Sequence, residues 1–322
     1  MMMNETKETP ILLGVMPTLA AGLDLVSKHL WLLVVPVALD LFLWLGTRLG
    51  AQVFMDEMVS FWQQENVLLA INPEMVETFV SLTTRTNLFA ALSIPMIGVP
   101  TFMSGITPEL MPVETAVFEL NSIVAVILSV ILLSVIGLFI TAVYYNLIAY
   151  VLRRNMGDDM PIPDLIARMG RSWLLLLMMG VFLAIALFIL YIPMILLATG
   201  LAAINPVLGG AAAVFAPVVL FSIVLQFIFV PHGLILHGRP LAVAMVESSL
   251  ILRKHWMEAI ILFFTIVLIN YLMSSIMLLA DNGSWLTGAS IIGHAFVATA
   301  MTTAVFIFYH DRFTLLNVPQ KL

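Results

Sequence analysis

The 322-residue chain contains no cysteine. Disulfides, thiolate metal sites and cysteine nucleophiles are therefore excluded, and the redox compartment cannot be read from cysteine usage. Charge is scarce as well: 10% of residues are Asp, Glu, Lys or Arg, against about 25% in an ordinary soluble domain. Hydrophobic residues make up 62% and mean hydropathy is +1.10. Such a chain lacks the polar surface needed to cover a globule in water. The net charge of −6 excludes a nucleic-acid binder, which needs a basic face. Enzymatic motifs are missing too. There is no Walker A loop, no HExxH, no GxSxG and no strand–turn–helix setting for a dinucleotide. No cofactor is called for, and the expectation is a non-enzymatic, all-α polytopic membrane bundle.

What is present is a set of long apolar runs. A spanning helix needs roughly 20 apolar residues to cross about 30 Å of hydrocarbon. Six stretches qualify: Leu30–Leu49, Ile123–Leu152, Trp173–Thr199, Val207–Val230, Met257–Ala280 and Thr287–Tyr309. The short links at Asn205–Pro206 and at Asp281 to Ser284 read as tight helical hairpins, so the six spans form three hairpins. With six spans, Lys7, Lys28, Arg153, Arg154, Arg168, Arg171, Arg239, Arg253, Lys254, Arg312 and Lys321 share one side, and only Arg48 and Arg85 face the other. Basic residues are retained in the cytoplasm, so both termini are expected there, in the cell (inner) membrane. The acidic stretch Met1 to Pro10 lacks a basic start, so no cleaved signal peptide is expected.

The uncharged segment Asn87 to Ile106 resembles a seventh span in hydropathy alone. Pro95, Gly98, Pro100 and Gly105 interrupt it. Crossing there would also move Arg153, Arg154, Arg168 and Arg171 outside. It reads as an interfacial or partly re-entrant loop within an extracytoplasmic insertion, residues 50–118. That insertion is acidic, with Asp56, Glu57, Glu65, Glu74, Glu77, Glu109 and Glu114 against Arg85. Two helices are expected in it, one carrying Phe54, Met58, Phe61 and Leu68, the other Met75, Phe79 and Leu82.

Each hairpin opens on one grammar: a proline, an amphipathic stretch, basic residues, then tryptophan. The copies run from Pro17 through Lys28 and His29 to Trp31, from Pro163 through Arg168 and Arg171 to Trp173, and from Pro240 through Arg253, Lys254 and His255 to Trp256. Proline suits a first helical turn, and bases with tryptophan suit a headgroup boundary. The expectation is a short amphipathic helix on the cytoplasmic face before each hairpin, with Trp31, Trp173, Trp256, Arg153, Arg154, Arg171, Arg253 and Lys254 as interfacial anchors. The runs Gly238–Trp256 and Pro161–Trp173 give the chain a resemblance to a loose group of bacterial six-span membrane proteins. That group includes the membrane domain attached to some glycerophosphodiester phosphodiesterases. The resemblance implies a shared membrane scaffold and carries over no catalytic residue, since phosphodiesterase chemistry in such fusions belongs to a separate soluble domain.

Ionisable groups inside hydrocarbon face the protein interior or water. Asp40, Asn270 and His294 fall at similar levels of their spans and form the candidate intramembrane polar cluster. It reads either as a proton relay or polar-solute site, or as interhelical hydrogen bonds that fix packing. His232 and His237 are five apart, which suits ordinary interfacial histidines better than metal ligands on one helical face. The leading expectation is a scaffold or accessory subunit organising membrane lipid or a protein partner. The alternative is a small-solute or proton-coupled permease using the region of Asp40; a lipid-modifying enzyme trails both. Oligomeric state is not legible.

Overall fold

The computed structural model describes residues 13–52, 56–57, 60, 86–94, 97–104, 112–277 and 284–316. The two helices expected around Phe54–Leu68 and Met75–Leu82 lie outside the described residues, as do Asp281 to Gly283. The described chain is an all-α polytopic membrane bundle with one two-stranded clasp.

Helix α1 spans Val15–Lys28 and a 3-10 turn, Leu30–Leu33, leads into α2, Val34–Leu45. His29 leaves helical geometry between them (φ −135°, ψ 55°), and the chain bends there by 95°. Helix α3 covers Ile123–Asn155, α4 Ile162–Ile204, α5 Pro206–Leu225 and α6 Val230–Leu236. Helix α7 covers Leu241–Lys254, α8 Trp256–Met277 and α9 Leu286–Leu316. Local chemistry sets several of these ends. The Ser122 hydroxyl accepts the Ala125 N–H at 3.2 Å to start α3. Asn205 accepts the Val207 N–H at 2.8 Å, and Pro206 occupies the first turn of α5, closing the expected α4–α5 hairpin.

Five helical stretches are long and apolar enough to cross a membrane: α3, α4, Pro206–Leu236, α8 and α9. The bent pair of α1 with Leu30–Leu45 raises the number to six. Leu30–Leu45 is shorter than the expected span Leu30–Leu49 and passes as a span only together with α1. It stops at Leu45 because Gly46 turns extended (φ −80°, ψ 176°), and Arg48–Gly50 then forms strand β1. Strand β2, Val117–Glu119, pairs with β1 in parallel, with Gly50 opposite Glu119. The clasp holds together the two ends of the 50–118 insertion.

The three-copy grammar is realised unevenly. In the third copy α7 breaks from α8 at His255 (φ −123°, ψ 34°), close to the geometry of His29 in the first. In the second copy there is no break, and the expected separate short helix is absent: Pro163 to Trp173 lies inside one 43-residue helix. At 1.5 Å per residue α4 is about 64 Å long, beyond the roughly 40–45 Å of a bilayer with its headgroups.

The chain divides into two compact units. One comprises Met1–Leu25, Met178–Thr265 and Ala300–Leu322, the other Val26–Leu177 and Ile266–Thr299. In the first, α6 is buried along its whole length, and Phe229 before it stacks on Phe308 with ring centroids 5.7 Å apart. Gly22 of α1 lies against the Ala300 carbonyl and Ala304 of α9, where a larger side chain has no room. In the second unit, Leu39, Leu43, Trp44, Tyr144, Ile148 and Ile291 make the core, and the Tyr144 hydroxyl bonds Thr299 Oγ1 at 3.1 Å. Among the spans α9 stands apart. Its most apolar stretch is 72% buried, against 11–17% for the other four.

Candidate functional site

The site is built on a carboxylate and a stretch of irregular backbone. Asp40 sits on α2 with its side chain fully buried. Its Oδ1 accepts the Met103 N–H at 2.8 Å and its Oδ2 accepts the Phe102 N–H at 3.0 Å. Both acceptor oxygens are thus engaged by consecutive amides of the Asn87–Ser104 segment. Non-helical backbone inside a membrane is tolerated only where its polar groups are met within the protein. Asp40 meets two of them.

The rest of the segment is positioned by similar means. Asn87 Oδ1 accepts from both the Leu49 and Phe89 N–H groups at 3.1 Å, starting a 3-10 helix over Leu88–Ser93 beside the clasp. Phe89 then packs edge-on against Phe42 of α2, with centroids 5.2 Å apart. Further along, the carbonyls of Ala91 and Leu92 press on Gly137 of α3, where an added Cβ would stand 2.6 Å from the Leu92 oxygen. Gly137 lies about 21 Å along α3 from Ile123 at 1.5 Å per residue. The segment therefore enters the bundle instead of lying across its end. Gly137→Ala is expected to push the 3-10 turn off α3 and cost about 1–3 kcal/mol, the range for overpacking, measurable as a lowered unfolding midpoint in detergent.

Of the expected polar cluster, Asp40 and His294 share this neighbourhood. His294 on α9 is 5% exposed, and its ring lies 5.4 Å from that of Phe102, whose own N–H is held by Asp40. Its Nδ1 has no hydrogen-bond partner. Asn270 on α8 stands apart: no hydrogen bond, ion pair or ring contact joins it to Asp40 or His294 among the described residues, and its side-chain oxygen is buried without a partner. Trp44 Nε1 and Thr101 Oγ1 are likewise buried and unpaired. No group of three or more His, Asp or Glu suited to a metal ion occurs among the described residues.

The expected anchors differ among themselves. Trp31 and Trp256 are 44% and 54% exposed, and Arg154, Arg171, Arg253 and Lys254 are exposed as well. Arg153 is buried, at 7%. Trp173 is engaged inside its unit, donating its indole N–H to the Val135 carbonyl at 3.1 Å and packing edge-on to Phe139. Val135 is about 27 Å along α3 from Arg153, so this indole is far along the helix from that base.

A second polar centre, near the end of α9, went unrecognised in the sequence. Arg312 is 1% exposed. Its Nη2 donates to Glu258 Oε2 at 2.8 Å and to the Leu13 carbonyl at 2.8 Å, and its guanidinium lies 3.8 Å above the Phe308 ring. It fastens the entry to α1 and the start of α8 onto α9. Nearby, Arg239 pairs with Glu247 at 3.2 Å, and the Tyr309 hydroxyl donates to the same carboxylate at 3.5 Å. Burial raises the Glu247 carboxyl above its ordinary value, while Arg239 and Tyr309 pull it down. His237 stacks on Phe313 at 4.0 Å, and His232 packs edge-on to Phe306 at 4.5 Å. The one available signal was Glu258, the single acid within the apolar run Trp256–Met277.

Comparison with known proteins finds no matching family model, no similar curated protein and no similar solved structure.

Proposed function

We propose that the chain is a non-enzymatic integral membrane scaffold or accessory subunit of the cell (inner) membrane, with both termini cytoplasmic, that organises lipid or a protein partner. The observation that supports this reading is the state of Asp40. Both Asp40 oxygens accept backbone N–H groups, those of Phe102 and Met103, so the side chain is built into the fold as the support of that segment. The carboxylate acts as a latch for a re-entrant segment. The exposed apolar length of α4, α5 and α8 supplies surface for lipid or for a partner's helices.

A second reading, a small-solute or proton-coupled permease, is favoured by one observation. Trp44 Nε1, Thr101 Oγ1, Asn270 Oδ1 and His294 Nδ1 are buried without partners in the same unit as Asp40. Buried polar atoms are ordinarily paired, so water or a small polar solute would satisfy them. Proteoliposomes separate the two readings. The scaffold reading expects no proton or solute flux above protein-free vesicles under an imposed gradient. Uptake that disappears in Asp40→Asn, with the variant still folded, would transfer the assignment to a permease.

A further inference from the structure

Helix α7 has two faces of opposite character. Ala244, Ser248 and Ile251 are at most 1% exposed and pack inside their unit, with the Ser248 hydroxyl bonded to the Gln226 carbonyl at 2.7 Å. The other face carries Val243, Val246 and Leu250 at 41%, 60% and 42% exposure, spaced three and four apart as one helical stripe. Arg253 and Lys254 close that stripe, both exposed, and neither forms an ion pair among the described residues. Glu258, the next acid along the chain, is already held by Arg312 at 2.8 Å and approached by His255 Nδ1 at 3.5 Å. It leaves the two bases uncompensated. Beyond His255 the stripe is followed by Trp256, Met257 and Ile260, exposed at 54%, 52% and 49% on the first turns of a membrane-spanning helix.

We infer that this face of α7 is a binding surface for anionic lipid. The upper acyl region packs on Val243, Val246 and Leu250, and the headgroup phosphate is met by Arg253 and Lys254. Two features select lipid as the occupant. The stripe leads into exposed apolar side chains of α8, a helix long and apolar enough to cross a membrane, and its charge is complementary to an anionic leaflet. The inference deepens the lipid-organising half of the proposed function and rests on it. Near an anionic surface each base favours binding about fivefold, so the pair sets a preference of up to about thirtyfold over zwitterionic lipid.

The absence of native cysteine makes the test clean. Val246→Cys, labelled with a fluorophore, is reconstituted into phosphatidylcholine vesicles that carry a trace of nitroxide-labelled phosphatidylglycerol or phosphatidylcholine. Labelled phosphatidylglycerol is expected to quench more strongly, and the Arg253→Gln/Lys254→Gln pair is expected to level the two lipids. Both bases are exposed, so their replacement leaves the fold intact, and Leu250→Cys provides a second reporter on the same stripe. Equal quenching in the parent would overturn the headgroup site alone. No quenching by either lipid, with fast labelling by a water-soluble maleimide, would overturn the lipid-organising reading with it.

Discussion

Asp40→Ala is expected to release the Phe102–Met103 segment and lower stability by about 2–5 kcal/mol, the loss of two hydrogen bonds that leaves two amides unsatisfied. The cost is large because removal is one-sided. The N–H groups of Phe102 and Met103 remain inside the bundle with no acceptor, and no water in hydrocarbon replaces the lost carboxylate. Asp40→Asn keeps one acceptor but turns an NH₂ toward the other amide, so it should fall between alanine and the parent. Two measurements check this. The unfolding midpoint in detergent should drop in the order Asn, then Ala. A cysteine placed at Thr101 should become reactive to soluble maleimide in the Ala variant while staying protected in the parent. An Ala variant as stable as the parent, with Thr101→Cys still protected, would show that packing of Phe89, Leu92 and Met103 holds the segment instead.

Glu258→Ala should be the most damaging single change in the other unit, at about 3–5 kcal/mol. It leaves the Arg312 guanidinium, 1% exposed, with Asp311 at 3.9 Å as the remaining carboxylate among its described partners. The opposite truncation, Arg312→Met, should cost less. Glu258 is 44% exposed and remains partly solvated when its partner is gone, and methionine keeps most of the packing on Phe308. The double variant should recover a good part of the Glu258→Ala loss, because replacing both charges removes the uncompensated one. A double-mutant cycle read by thermal unfolding gives the coupling directly. Additive effects would mean that Arg312 is held by the Leu13 carbonyl and the Phe308 ring, with Glu258 incidental.

How far the sequence carried the fold follows from what each residue reports. Ile123–Asn155, Trp256–Met277 and Leu286–Leu316 begin within one residue of the expected spans, because an apolar run with a polar break is a local signal. Gly98 and Pro100 fall in non-helical backbone of the described residues for the same reason. The failures are non-local or depend on context. Nothing in 162–204 forces a break, and Pro193 is accommodated within the helix, so α4 runs on through the expected junction at Trp173. The helix of the expected first span is cut at Gly46, where hydropathy alone continues. Asp40 could be identified as buried and polar, but its partners are backbone amides 62 and 63 residues away, and amides carry no sequence signature. In the sequence Arg312 counts as one more base at the inner boundary, since a sum over charges cannot distinguish an exposed guanidinium from one folded onto Glu258.

The chain breaks at a histidine before an exposed tryptophan in two places, Lys28–His29 before Trp31 and Lys254–His255 before Trp256. Reporter fusions test the threading behind this. With alkaline phosphatase or a fluorescent protein joined in turn to the two ends of the chain, both are expected to report the cytoplasm. A third fusion near Val113, inside the 50–118 insertion, is expected to report the opposite side. Ends in different compartments would contradict the account at its root, because they require an odd number of crossings, as when α1 and Leu30–Leu45 do not cross.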